Sequence, residues 1–126
     1  MVGLARETPG DGPVVTHIGT SGFRTRDRRY TGGLLLTPHS EASWNAPALC
    51  DLILSDIDVA LAIKPAPEFL LLGTGVHLAH PPAAFKSALE AIDIGLEVMD
   101  SAAAARAWSL LRSESRWIAA VLYPLA

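Results

Sequence analysis

The chain of 126 residues holds a single cysteine, Cys50. No disulfide can form within it, and that usage fits a reducing compartment. It also lacks any apolar run near the roughly 18 residues that a membrane-spanning helix needs. Basic excess is missing too. The net charge is -3, so a general nucleic-acid binder, whose domain is normally basic, is not expected. Aromatic residues make up only 6% of the chain, and beyond Phe23 and Tyr30 none interleaves with the basic residues. That removes the stacking platform of a single-strand binder. The opening residues Met1-Val2-Gly3-Leu4-Ala5-Arg6-Glu7-Thr8 have no apolar core of a signal peptide, and Glu7 makes a poor transit peptide. The expectation is a soluble, cytoplasmic protein that does not span a membrane.

What is present is a globular composition, 50% hydrophobic and 18% charged, in a length that suits one domain with a real core. Residues 1–13 read as a tail, because Thr8-Pro9-Gly10-Asp11-Gly12-Pro13 is all turn and breaker residues. Residues 14–126 read as a single α/β domain. Val14 to Ile18 is β-prone. Phe23 to Arg26 and Tyr30 to Thr37 flank the polar turn Asp27-Arg28-Arg29 as a hairpin, with a bulge or bend at Gly32-Gly33. Thr37-Pro38-His39-Ser40 closes this β-rich part. Trp44 to Asp51 reads as extended. Ser55, with Asp58 three residues on, starts a short helix from Asp56 to Ile63 that Pro65 and Pro67 stop.

The remainder is more regular. Phe69–Leu72 is a buried strand running into the turn Gly73-Thr74-Gly75. A helix follows from Pro82 to Ile92, with Phe85, Ala88, Leu89 and Ile92 on one face. Leu96–Met99 is the next strand. Asp100 or Ser101 caps a helix to Arg112 whose buried face carries Ala104, Ala107, Trp108 and Leu111. Trp117–Leu122 is the last strand. Alternation of strand and helix with short connections predicts crossover units and a mostly parallel sheet.

Open α/β sheets take ligands beyond the carboxyl ends of their strands, which directs attention to Gly73-Thr74-Gly75. The Gly-x-Gly and Asp100 at the end of the following strand imitate a dinucleotide fingerprint. Leu78 stands where the third glycine belongs, and the helix starts too late for its amides to cradle a pyrophosphate. The alternatives are a tight structural turn, with Asp100 as a helix cap, or a site for some other small ligand. Such a site would use Thr74, Gly75, Asp100 and Trp44.

His77, His80, His39 and Cys50 are too scattered for the three or four converging ligands of zinc, so no metal is expected. No Gly-x-Ser-x-Gly occurs, Ser40 beside His39 is not a base–nucleophile pair, and Cys50 reads as a small core residue. Arg24, Arg26, Arg28 and Arg29 crowd one hairpin. They read either as a solvated edge or as a patch for an anion or acidic partner. Trp108 and Trp117 read as core, whereas Trp44 is a candidate for exposure.

A set of motifs in fixed order goes further. It runs Gly22-Phe23, Leu34-Leu35-Leu36-Thr37-Pro38-His39-Ser40, Trp44, and Pro67-Glu68-Phe69-Leu70-Leu71-Leu72-Gly73-Thr74-Gly75. It continues with Ile94-Gly95-Leu96-Glu97-Val98-Met99-Asp100-Ser101, Ala104-Ala105-Arg106, Glu114-Ser115-Arg116 and Ala119-Ala120-Val121-Leu122-Tyr123-Pro124-Leu125. From about Thr16 to the C-terminus this resembles a family of bacterial and archaeal domains of unknown function. That family includes the mitochondrial respiratory complex I assembly factor 3, and the adipogenesis-associated domain proteins are further relatives. The resemblance implies a three-layer α/β domain with a central mixed sheet, flanking helices and an additional N-terminal β-hairpin layer. It implies no catalytic residues and no cofactor. Two positions depart from the family pattern. Ser115 replaces a glycine, so a different turn type is expected there, and Trp108-Ser109 replaces an aromatic residue followed by asparagine.

The function expected from the resemblance is a non-enzymatic interaction domain, an assembly or biogenesis factor for respiratory or membrane protein complexes that works through a protein partner. The alternative is a small-ligand-binding domain or enzyme using the Gly73-Thr74-Gly75 edge. Homo-oligomerisation through the arginine-rich hairpin or Trp44 is the third possibility.

Overall fold

The computed structural model describes residues 12–125. Apart from Gly12 and Pro13, the tail expected over residues 1–13 lies outside the described residues. Pro13 is buried, and its carbonyl accepts a hydrogen bond from the indole N–H of Trp108 at 2.8 Å. The elements are β1 (Val15–Gly19), β2 (Gly22–Thr25), β3 (Arg29–Tyr30), β4 (Gly33–Thr37), β5 (Ser40–Trp44), α1 (Asp58–Leu61), β6 (Phe69–Gly73), α2 (Ala83–Ala91), β7 (Gly95–Met99), α3 (Ser101–Ser113) and β8 (Ala119–Leu122). Short 3-10 turns cover Leu49–Asp51 and Leu54–Ile57.

β1, β2 and β3 form a small antiparallel sheet; the larger sheet has the order β5-β4-β8-β6-β7. β6 pairs in parallel with both β7 and β8, whereas β4 pairs antiparallel with β5 and β8. The sheet is therefore mixed, and the mostly parallel expectation is corrected. The antiparallel half comes from a hairpin at Thr37-Pro38-His39-Ser40, where a simple end to the β-rich part was expected; Thr37 faces Ser40 across it. β5 escaped notice because only Trp44 among its residues is buried, which leaves no apolar alternation to read. The single arm expected from Tyr30 to Thr37 is broken at Thr31-Gly32, with β3 in the small sheet and β4 in the large one. The crossovers β6-α2-β7 and β7-α3-β8 move in opposite directions across the sheet. With the usual right-handed connection they place α2 and α3 on opposite faces.

Two apolar layers result. On one face Leu35, Leu70, Leu72, Ala119 and Val121 meet Trp44 at the end of β5 and Leu52, Ile57, Ala60, Phe85 and Leu89 from α1, α2 and the segment before α1. On the other, Leu34, Leu36, Leu71, Ala120 and Leu122 meet Ala104, Ala105 and Trp108 of α3 and Phe23 and Tyr30 of the small sheet. Each fully buried Leu or Phe contributes about 1.5–3 kcal/mol relative to exposure. The small sheet is also pinned by a half-buried polar contact. The Glu41 carboxylate on β5 accepts from the Tyr30 hydroxyl at 2.7 Å and from the Thr25 hydroxyl.

Local details depart from expectation where side chains compete for backbone groups. The expected Ser55 cap is absent: α1 follows Ile57 with no side-chain cap, and it is Asp56, third residue of the 3-10 turn before α1, whose carboxylate reaches back to accept from the Ile53 N–H at 3.0 Å. α2 and α3 end alike. Asp93 N–H bonds to Glu90 C=O and Ile94 N–H to Leu89 C=O; Ser115 N–H bonds to Arg112 C=O and Arg116 N–H to Leu111 C=O. This is the Schellman pattern, which needs a left-handed residue just past the cap. Asp93 takes it at φ 62° and Ser115 at φ 60°. The turn type at Ser115 is thus unchanged by the absence of glycine, contrary to expectation, and the chain accepts the steric cost instead. Replacing Ser115 by Gly is expected to raise stability by about 1 kcal/mol, read as a higher urea midpoint with an unchanged slope.

Candidate functional site

The carboxyl end of β6 lies in the middle of the large sheet, beside the ends of β7 and β8. Thr74 N–H donates to Met99 C=O at 2.9 Å, Ser101 N–H to Gly75 C=O at 2.8 Å, and Tyr123 N–H to Gly73 C=O at 2.8 Å. The Ser101 hydroxyl, fully buried, completes the junction. It accepts from Gly75 N–H at 2.8 Å and donates to Tyr123 C=O at 2.6 Å. A side chain at Gly73 would lie 2.9 Å from the Ser101 Cα and 2.7 Å from Leu122, so glycine is what lets α3 approach the strand this closely. Gly75 has φ +100°, where other residues are strained.

The structure brings the four candidate residues to this same sheet end. Trp44 faces Gly33, at the end of β4 that carries the Leu34–Leu122 pair. Their polar atoms already have internal partners. The Thr74 hydroxyl donates to His77 C=O at 2.7 Å and accepts from Ala79 N–H at 3.1 Å, holding the following loop closed. Gly75 is tied to Ser101 as above. Asp100 caps α3, accepting from Ala103 N–H at 2.8 Å. Trp44 is buried, donates its indole N–H to Asp56 C=O at 2.8 Å and packs edge-on against Tyr123. α2 begins only at Ala83, so its amides stand away from Gly75 and no pyrophosphate cradle forms.

The other candidates separate. His77 and His80 are exposed, and among the described residues no group of three or more His, Cys, Asp or Glu side chains is placed to hold a metal. Cys50 is exposed, not core. Trp117 is half-buried just before β8, donating to Pro65 C=O and meeting His39 edge to face. Trp108 is core, as expected. The arginines divide by strand register. Arg24 and Arg29 stand directly opposite one another on β2 and β3, while Arg26 lies near Asp27, His39 and Glu41 at a neighbouring opening. Sequence reasoning missed the Ser101 bridge. Its only signal was a serine in the first turn of a helix that follows a strand, which reads as a cap.

Burial shapes the ionisable groups. Tyr123 is pushed up to about 12 by desolvation first and then by the charges of Asp56 and Cys50. Tyr30 rises to about 12 by desolvation and by its hydrogen bond to Glu41. Glu68 is lowered chiefly by its hydrogen bond from Arg116, at 2.8 Å on the surface.

Apolar surface gathers elsewhere, around α2. One groove of about 360 Å³ runs between Cys50–Leu54 and Pro82, Ala84, Phe85 and Ala88. A second, of about 370 Å³, is lined by His80, Pro81, Ala83, Lys86, Leu96 and Val98. It lies along β7, one of the two edge strands of the sheet. Gly95 N–H and Met99 C=O turn inward to β6-side partners, so the alternating Leu96 and Val98 turn their backbone groups outward. Among the described residues those groups have no backbone partner on the free side.

A mixed sheet between helices, with a separate antiparallel β layer and an internally bonded strand end, defines an α/β domain class known from solved structures. The chain matches, over residues 15–123, the family described as protein of unknown function (DUF498/DUF598), and it belongs to that family. It is 31% identical over 98% of its length to an uncharacterised protein of Rhodobacter capsulatus, covering 90% of that protein. It is 26% identical, again over 98% of its length, to the NADH dehydrogenase [ubiquinone] 1 alpha subcomplex assembly factor 3 of Danio rerio, covering 71% of it. Among solved structures, a protein of Bordetella parapertussis aligns with TM-score 0.79 and 29% identity, over 89% of this chain and 95% of that one. A protein of Bartonella henselae described as an outer membrane protein aligns with TM-score 0.80 and 28% identity, over 94% and 98%. Among the described residues no helix is long and apolar enough to cross a membrane.

Two outcomes test this description. Ser101→Ala leaves the buried Gly75 N–H without its acceptor and is expected to cost about 1–3 kcal/mol, measured by urea denaturation. The chain has two tyrosines, and both are raised to about 12. Ultraviolet titration of the native protein is therefore expected to show no phenolate near pH 10. Because the folded state holds these protons more tightly, their contribution to stability is complete below pH 10 and is lost between about pH 10 and 12.

Proposed function

We propose that this chain is a non-enzymatic interaction domain that serves as an assembly or biogenesis factor for respiratory or membrane protein complexes. The observation that carries this reading is the relation, over nearly the whole chain, to the complex I assembly factor 3 of Danio rerio. The polar groups at the strand ends support it, because they are spent on internal bonds instead of converging on a substrate.

The surface that fits a partner best is the free edge of β7 with the groove beside α2. Its occupant is an extended segment of another protein that adds as a sixth strand, a recognised mode of peptide capture. Outward backbone groups of Leu96 and Val98 supply the ladder, and the groove takes alternate apolar side chains. A second copy of this chain fits less well. The antiparallel register that uses both outward residues would set Glu97 directly against its own copy, and opposed like charges destabilise a strand pair. A partner strand with Lys or Arg over Glu97 meets no such repulsion.

The test is co-purification of the intact protein from a native membrane extract, with subunits identified by mass spectrometry. Recovery of respiratory or membrane complex subunits is expected. Val98→Pro removes an outward N–H at an edge, where proline is tolerated, and is expected to abolish that recovery while leaving the fold intact by circular dichroism. Recovery of only the free protein under conditions that preserve weak complexes overturns the assembly role. Equal recovery with Val98→Pro overturns the β7 edge as its surface.

A further inference from the structure

The outer face of the small sheet carries an arrangement with a different use. Strand register sets His17 of β1 opposite Arg24 of β2, and Arg24 opposite Arg29 of β3. Directly paired residues project from the same face. The inward residues of these strands, Phe23 and Tyr30, belong to the core, so His17, Arg24 and Arg29 form one row across three strands on the exposed side. Neighbouring Cβ atoms in such a row stand about 4.5–5.5 Å apart.

This row is unfavourable as it stands. Like charges directly opposite one another destabilise a sheet, and among the described residues no carboxylate pairs with either guanidinium. The acid nearest in sequence, Asp27, lines a separate opening with Arg26, His39, Ser40 and Glu41, while Glu41 is engaged by Tyr30 and Thr25 on the inner side. The hairpin thus concentrates positive charge on a protein whose net charge is -3. Solubility does not explain it, because the same charge scattered over the surface would serve without the repulsion.

The row also lines a recess. A half-open depression of about 340 Å³ is bounded by Thr16, His17, Ser21, Gly22, Arg24 and Arg29, together with Phe23. Among its lining residues, Thr16 ties β1 to β2 by donating its hydroxyl to Arg24 C=O at 3.1 Å. The volume exceeds a single oxyanion and is open to solvent, leaving room for a substituent on the anion.

The geometry points to a binding site for a phosphate monoester on this face, with its oxygens shared between Arg24 and Arg29 and completed by His17 and the Ser21 hydroxyl. Guanidinium groups present fork-shaped donor pairs that match phosphate oxygens. A planar carboxylate is satisfied by one such fork, whereas two opposed forks and an imidazole suit an anion with three terminal oxygens. Binding removes the repulsion within the row, so occupancy stabilises the small sheet as well. This site lies on a different sheet from the β7 edge and is independent of the assembly role.

The test is titration of the full chain, followed by amide and arginine side-chain NMR at constant ionic strength. The probes are inorganic phosphate, glycerol 3-phosphate, and vesicles of phosphatidylcholine with and without phosphatidic acid. Saturable shifts at Ser21, Gly22, and the Arg24 and Arg29 side chains are expected, with at least a tenfold loss of affinity in Arg24→Gln and in Arg29→Gln. Arg106→Gln, on the exposed side of α3, is expected to bind as the unaltered protein does. Phosphate is also expected to raise the melting temperature of the unaltered protein and not of the double variant. Tighter capture by vesicles with phosphatidic acid than by glycerol 3-phosphate assigns the site to a lipid headgroup; equal or weaker capture assigns it to a soluble ester. Absence of saturation, equal shifts with chloride at matched ionic strength, or unchanged binding in the double variant overturns the site.

Discussion

β6 and β8 lie side by side at the centre of the large sheet, and Leu70 to Leu72 and Ala119 to Leu122 are all fully withdrawn from solvent. A strand pair of this kind cannot leave either face open. Each face presents apolar side chains, and each must be covered. The two crossovers supply helices to opposite sides, α2 to one and α3 to the other. α3 alone does not cover its face, and the small sheet completes it with Phe23 and Tyr30. The third layer is therefore a packing requirement of the central strands as much as an N-terminal addition.

The same two strands explain the chemistry of the sheet end. Backbone groups leaving a buried pair must find partners, and Ser101 provides them with one hydroxyl, joining β6, β8 and the start of α3. Thr74 and Asp100 serve in the same way for the loop and the helix. Residue types suited to recognition thus stand at the usual ligand position of an α/β sheet and are used for construction. The unpaired β7 edge and the charged face of the small sheet lie away from it.

These two surfaces differ in what they can recognise. The β7 edge offers a backbone ladder and an apolar groove, which select for extended conformation and alternation. The His17, Arg24 and Arg29 row offers charge with fixed spacing. Sequence reading identified the arginine crowding but could not sort it, because Arg24, Arg26, Arg28 and Arg29 look alike until register is known. Pairing joined Arg24 to Arg29, added His17 from a strand several residues away, and sent Arg26 to another opening.

Taken alone, the amino-acid order determined the elements whose signal is local. The Phe69–Leu72 strand, the helices around Phe85 and Trp108, the cap at Asp100 and the missing pyrophosphate cradle all follow from spacing within a few residues. The ordered motifs also led to the family and its three layers. Tertiary structure decided what depends on partners distant in the chain. It made the sheet mixed by inserting β8 between β4 and β6, found β5 where alternation was absent, and buried Trp44 while exposing Cys50. It also kept Ser115 in a left-handed turn because α3 has to end there whichever residue is present. Side-chain periodicity reports only whether a face is buried; hydrogen-bond register and packing across layers settle against what.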